Sequence, residues 1–202
     1  MYDCGGEGSR GEKEVIKAVI FDYADVISGS VIPYFREMYP HASDEIRSAF
    51  IDEFDYGEVD YRGMLDKLAE LTGQTAEVVE QNIRDISKNF NNDPRLLSLI
   101  KGLREKGYKT GLLSNIGPGF LDMNFPERGE YFDDIVLSYE VHMVKPSPEI
   151  YHLAARNLGV EPDECVFVDD SQRNVDGAEA VGMKGIVYKN FDEFLPEISK
   201  FI

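Results

Sequence analysis

Three short apolar runs, far apart in the chain, each deliver a polar residue at their end, and this recurrence narrows the fold more than any other feature. Residues 15–21 lead into Asp22, residues 109–113 into Ser114-Asn115, and residues 165–168 into the pair Asp169-Asp170. Runs of this length, rich in β-branched residues and bounded by polar ones, read as buried strands. Helical spacing fills the intervals at 94–106, 149–158 and 174–181, with a terminal helix from Phe191 and two further strands near 135–137 and 185–188. Strands alternating with helices predict an α/β fold: a Rossmann-like, mostly parallel sheet covered by helices on both faces. In such a sheet Asp22, Ser114 and Asp169-Asp170 gather at one edge, where ligands bind beyond the carboxyl ends of the strands.

After Gly29 the texture changes. Helices are expected at 31–38, 43–54, 60–71 and 75–89, with Ser43, Asp60 and Thr75 as N-caps. Met64, Leu65, Leu68 and Leu71 recur at helical spacing, so this block reads as a small bundle. The expected organisation is a core of residues 14–28 and 92–202, a helical cap inserted at 29–91, and a glycine-rich, disordered tail at 1–13. Tyr34, Phe35 and Tyr39 have two readings, lining a substrate pocket or packing the cap's own core, and the second is the expectation.

Charge limits the partners. A formal net charge of -17 disfavours nucleic acid and anionic membranes. An anionic substrate would need local positive potential, which a divalent cation and a lysine would supply. No apolar run of 18 residues is present, and no secretory signal is evident at the N-terminus, so a cytoplasmic location is expected. Two cysteines and three scattered histidines suggest neither a disulfide scaffold nor a soft metal centre.

Four segments, in order, resemble the motifs of the haloacid dehalogenase-like superfamily, over roughly residues 15–190. They are Phe21-Asp22-Tyr23-Ala24-Asp25-Val26-Ile27, Leu112-Leu113-Ser114-Asn115, Val144-Lys145-Pro146-Ser147-Pro148-Glu149-Ile150-Tyr151, and Val166-Phe167-Val168-Asp169-Asp170-Ser171-Gln172-Arg173-Asn174-Val175 continuing to Ala178 and Gly182-Met183. The resemblance implies that Asp22 is a nucleophile, that Ser114 holds a transferring oxygen, and that Lys145 pairs with both nucleophile and phosphate. It implies an Mg2+ site from Asp22, Asp170 and the Ala24 carbonyl, with Asp169 assisting, and substrate contacts from Tyr23, Ala24, Ser114, Asn115 and Lys145.

The residue types suit that chemistry. A carboxylate can attack phosphorus and divide one displacement into two steps, and a hard cation takes oxygen ligands and orients the phosphoryl group. Taken singly, each position has an ordinary explanation: Asp22 as a turn cap, Lys145 as a solvated loop residue, Ser114 as a strand end. Their convergence is what points to a site. The expected activity is Mg2+-dependent hydrolysis of a small phosphorylated metabolite, a sugar phosphate among the candidates. Two alternatives stand beside it: a catalytically weak binding or regulatory module, and a metal-free 2-haloacid dehalogenase. An acidic surface would suit a basic protein partner, although no motif indicates one. The main departure from the family pattern is Ala24, where its phosphatases usually carry a second aspartate that acts as acid and base.

Overall fold

The computed structural model describes residues 15–202, so the tail expected at 1–13 lies outside the described residues. Strand β1 (Ala18–Phe21) sits at the centre of the sheet. Around it lie β2 (Lys109–Ser114), β3 (Asp134–Leu137), β4 (Cys165–Asp169) and β5 (Lys184–Val187), in the order β3-β2-β1-β4-β5, and every pairing is parallel. The register aligns Phe21 with Leu112 on one side and Val168 on the other, so the ends of the three expected strands are level.

Alternation along β1 divides the core. Val19 and Phe21 face one layer with Leu96, Ile100 and Leu103 of helix Pro94–Glu105 and Phe194 and Ile198 of the last helix, Phe191–Ile198. Ala18 and Ile20 face the other, with Ile150, Tyr151 and Ala154 of helix Pro148–Leu158 and Ala178 of helix Gln172–Ala180. A buried strand must be apolar on both faces, which is why β1 and β4 read as continuous hydrophobic runs. Each fully buried side chain of this size stabilises by about 1.5–3 kcal/mol.

The cap is the predicted helical insertion, with its own core of Phe35, Ile46, Met64, Leu68, Val79 and neighbours. Helices α1 (Ile32–Met38), α3 (Tyr61–Thr72) and α4 (Ala76–Ser87) match expectation, and Asp60 and Thr75 cap α3 and α4 by accepting from Gly63 and Val78 backbone N–H groups. The segment 43–54 differs. Pro40–Ala42 forms a 3-10 turn that hands the chain directly to α2 (Ser43–Ser48), which then widens into a π-helix over Ala49–Phe54. Ser43 is therefore inside the helix rather than its cap, and its Oγ accepts from Arg36 Nε at 2.8 Å. Phe35 is fully buried in the cap core, Tyr39 packs against it, and Tyr34 is exposed beside Phe90. The two chain crossings between cap and core are pinned together, since Asp93 N–H donates to Ile27 O at 2.9 Å.

Candidate active site

Asp22 directly follows β1 and is held by its own N–H, which donates to Val168 O at 2.9 Å. Beyond it the chain folds back sharply. Ile27 and Ser28 both donate to Tyr23 O, at 2.9 and 3.1 Å, and Asp25 takes a left-handed conformation with φ of 55°. The turn leaves the Asp22 carboxylate at the carboxyl edge of the sheet. Tyr23 is largely a core residue: its ring stacks on Phe125 at 6.0 Å and its hydroxyl donates to Asn92 Oδ1 at 3.3 Å.

Lys145 is buried between two carboxylates, with Nζ 2.9 Å from Asp22 Oδ1 and 2.6 Å from Asp169 Oδ2. Its backbone is clamped by Asn115, whose Oδ1 accepts from Lys145 N–H at 2.8 Å and whose Nδ2 donates to Lys145 O at 3.1 Å. Asn115 thus places the lysine. Asp169 has both oxygens occupied: Oδ1 accepts from Ser171 N–H at 2.9 Å, and Asn174 Nδ2 lies 3.0 and 3.2 Å from the pair. A carboxylate so fully used orients Lys145 better than it ligates. Asp170, next in sequence, is exposed.

Asp22, Asp169 and Asp170 each offer an oxygen within 4.8 Å of the others. Three carboxylates meet one ammonium among the described residues, so full ionisation would leave the cluster with two excess negative charges. Burial pushes the Asp22 carboxyl up to about 7, the charge of Asp169 adds to this, and Lys145 opposes it. Burial also lifts Asp170 to about 6, with Asp169 and Asp25 contributing. Burial pulls the Lys145 ammonium down, but the two carboxylates outweigh it and its pKa ends above the usual lysine value. The Ser114 hydroxyl is close enough to favour ionised Asp22. Even so, Ser114 Oγ is buried without a well-formed hydrogen bond among the described residues, and Asp22 Oδ1, although ion-paired with Lys145 at 2.9 Å, has no hydrogen bond of good geometry. Hard oxygen donors, and carboxylates whose ionised forms are disfavoured for want of positive charge, are what a divalent cation would satisfy.

Asp22, Ser114, Asn115, Lys145, Asp169 and Asp170 come together at this edge and Ala24 borders the adjoining cleft, whereas the ring of Tyr23, an expected substrate contact, packs on Phe125; Asn174 and Ser138 join the group. Ser138 follows β3 as Ser114 ends β2, so the same rule of a polar residue after an apolar run would have found it. Its Oγ accepts from Ile116 N–H at 2.9 Å and donates to Asp55 O at 2.6 Å, tying core to cap. Between the two lies a cleft of about 60 Å³, bordered by Ala24, Asn115 and Gly117 below and Phe50, Phe54 and Asp55 above. Gly117 permits the approach, since a Cβ there would stand 2.2 Å from the Phe54 ring. Larger hollows of about 660 and 460 Å³ open at the opposite edge of the sheet, around Lys17 and Gly159, away from this chemistry.

A family model described as haloacid dehalogenase-like hydrolase matches residues 16–182. The D-ribitol-5-phosphate phosphatase of Bacteroides thetaiotaomicron is 27% identical over 202 residues, covering 91% of this chain and 93% of the relative. Among solved structures, a HAD phosphatase from Thermococcus onnurineus is 25% identical with a TM-score of 0.61, over 86% of each chain. A HAD family enzyme from Bacteroides thetaiotaomicron, crystallised with magnesium and inorganic phosphate, shares the fold at a TM-score of 0.70 and 24% identity, over 89% of this chain and 99% of that one.

Proposed function

Because the chain belongs to the haloacid dehalogenase-like hydrolase family, we propose that it is an Mg2+-dependent phosphomonoester hydrolase of small metabolites, with Asp22 as nucleophile. The observation that carries this reading is the convergence of three carboxylates, buried Asp22 and Asp169 paired with Lys145 and exposed Asp170 beside them, at one edge of the sheet. Without a cation, burial favours protonated Asp22, which would blunt it as a nucleophile. Similarity to a sugar-alcohol phosphatase supports a phosphorylated polyol or sugar among the substrates.

Asp22, Asp170 and the Ala24 carbonyl would hold the ion, with Asp169 in support. When bound, Mg2+ supplies charge neutralisation and orientation of the phosphoryl oxygens. The chain's own groups do the rest. Lys145 Nζ and Ser114 Oγ hold phosphoryl oxygens, which uses the buried hydroxyl that lacks a partner. Asp22 attacks phosphorus, the bond to the leaving oxygen breaks, and an aspartyl-phosphate forms. Water then attacks phosphorus and restores the carboxylate.

Ala24 removes the usual proton donor for the leaving oxygen, so that proton comes from solvent. General acid-base help is worth about 10²- to 10⁴-fold, so turnover of alkyl esters is slow. The same alanine is the one feature that favours a weakly catalytic binding module. A panel of phosphomonoesters and 2-haloacids, run in Mg2+ and in EDTA beside Asp22→Asn, separates the readings. Mg2+-dependent phosphate release that vanishes in the variant supports the hydrolase. Halide release in EDTA would replace it with dehalogenation, and inertness of the folded protein on every compound would favour the binding module.

A further inference from the structure

Where the π-helix of the cap ends, the chain turns against the core. Gly57 N–H donates to Phe54 O at 3.0 Å and Glu58 N–H to Glu53 O at 2.9 Å, so this turn satisfies its own donors. Two of its carbonyls are answered from the core: Ser138 Oγ donates to Asp55 O at 2.6 Å, and His142 Nδ1 lies 2.9 Å from Tyr56 O. Gly57, with φ of 74°, lets the two backbones meet, since a Cβ there would stand 2.7 Å from Tyr139 O.

The core side of this contact is one helical turn, Ser138–Val141, closed by His142, whose N–H donates to Ser138 O. Lys145 follows shortly after in the chain, and Ser138 Oγ also accepts from Ile116 N–H, just beyond Ser114 and Asn115. The turn therefore touches both loops that carry phosphate-holding groups. Through the cap it also reaches Phe54, which borders the cleft with Phe50.

His142 is the unexpected member. Its φ of 51° is left-handed, a conformation that glycine adopts freely and that costs a residue with a Cβ. Such a conformation persists where the surrounding contacts over-determine it, and the hydrogen-bond partner of this ring is Tyr56 O. A carbonyl accepts and never donates, so Nδ1 carries the proton. Ser138 is fully buried, whereas His142 is exposed, and an exposed donor passes to water at little cost. Of the two contacts, His142 is the one that releases easily.

We propose that His142 is a positioning residue: its ring fastens the cap to the core a few residues from Lys145, and so holds Phe50 and Phe54 over the leaving group. Its effect on turnover rests on the phosphatase reading above. The contact itself does not.

Three substitutions at this one position separate the hydrogen bond from the backbone. Asparagine tolerates the left-handed conformation and carries an amide donor on Cγ, the atom that bears Nδ1 in histidine. Aspartate matches it in size and tolerance but offers only acceptors when ionised. Glycine removes the side chain and relieves the backbone. In His142→Asp and His142→Gly, hydrogen exchange at 49–58 should quicken by about 3- to 10-fold, and KM for glycerol 3-phosphate with Mg2+ should rise by a similar factor while kcat stays within about 2-fold. His142→Asn should stay within about 2-fold of the wild type in both. The Tm of His142→Gly should match or exceed that of the wild type, so a general loss of structure cannot account for its KM. Exchange at 49–58 that is the same in all three variants, or His142→Asn behaving like His142→Asp, would overturn the inference and leave the phosphatase reading intact. An inert wild-type enzyme whose variants still exchange in the stated order would overturn the phosphatase reading and uphold the fastening of the cap.

Discussion

At the sheet edge, Lys145 lies 2.9 and 2.6 Å from two carboxylates, Asn115 clamps its backbone on both sides, and Asn174 and Ser171 complete Asp169. Across the cleft, the cap faces the same space with Phe50 and Phe54 and joins the core through a few polar contacts, such as Ser138 to Asp55 O and His142 Nδ1 to Tyr56 O at 2.9 Å. The first region is over-determined by charge and hydrogen bonding, and the second takes its shape from packing. Chemistry needs placement within tenths of an ångström, so it sits on strand ends. The cap, by contrast, borders this space through ring packing.

The sharpest way to break this contrast is Lys145→Met. Removing the ammonium that lies between Asp22 and Asp169 leaves buried charge uncompensated, so the variant should lose about 3–5 kcal/mol in urea unfolding. It should also lose about 10²- to 10³-fold or more in turnover. A loss under about 1 kcal/mol would show that the sheet edge is no more tightly specified than the cap.

Ala24→Asp probes the one gap in the rigid region. It should accelerate an alkyl phosphate by up to about 10²-fold while changing an activated aryl phosphate much less, because only the poor leaving group needs the proton. Equal effects on both would mean that the donor is already supplied from elsewhere.

The pH dependence of metal stabilisation follows from the carboxylates. Asp22 near 7 and Asp170 near 6 both lie above the unfolded value of 3.8, so the metal-free fold binds more protons than the unfolded chain between those limits. Their contribution is present at low pH and is lost as pH rises through 6 to 7. A cation needs them ionised and so restores what is lost. Added Mg2+ should therefore raise Tm clearly at pH 8 and very little at pH 5, as read by thermal denaturation. A rise independent of pH would place the ion elsewhere.

Much of the sheet edge was legible because strands deliver side chains at fixed points. Asp22, Ser114 and Asp169-Asp170 could be placed from apolar runs alone, and Lys145 from the resemblance. What periodicity misses is side-chain partnership: nothing in the spacing says that Asn115 clamps Lys145 or that Asn174 fills Asp169. In the cap, the α3 and α4 caps were readable because Asp60 and Thr75 act on backbone groups three residues away. The π-helix at Ala49–Phe54 was not, since apolar spacing over a dozen residues does not distinguish a widened turn from a regular helix.

The smallest expected effect belongs to the cap. Thr75→Ala removes the acceptor for Val78 N–H and should cost about 1 kcal/mol. Hydrogen exchange should show the loss in α3 and α4, with protection of β1 and β4 unchanged. Equal loss in both regions would show that cap and core unfold as one unit.

The account is tested most directly by acid-quenching the enzyme during turnover of a good phosphoryl donor with Mg2+ and mapping the phosphoryl group by peptide mass spectrometry. With Ala24 in place of the aspartate that would activate water, hydrolysis of the intermediate is slow, so a near-stoichiometric phosphoryl group should accumulate on the peptide containing Asp22. It should disappear with EDTA or in Asp22→Asn. Continued turnover with no phosphoryl group on that peptide, or its appearance on a different residue, would contradict the assignment of Asp22 as nucleophile.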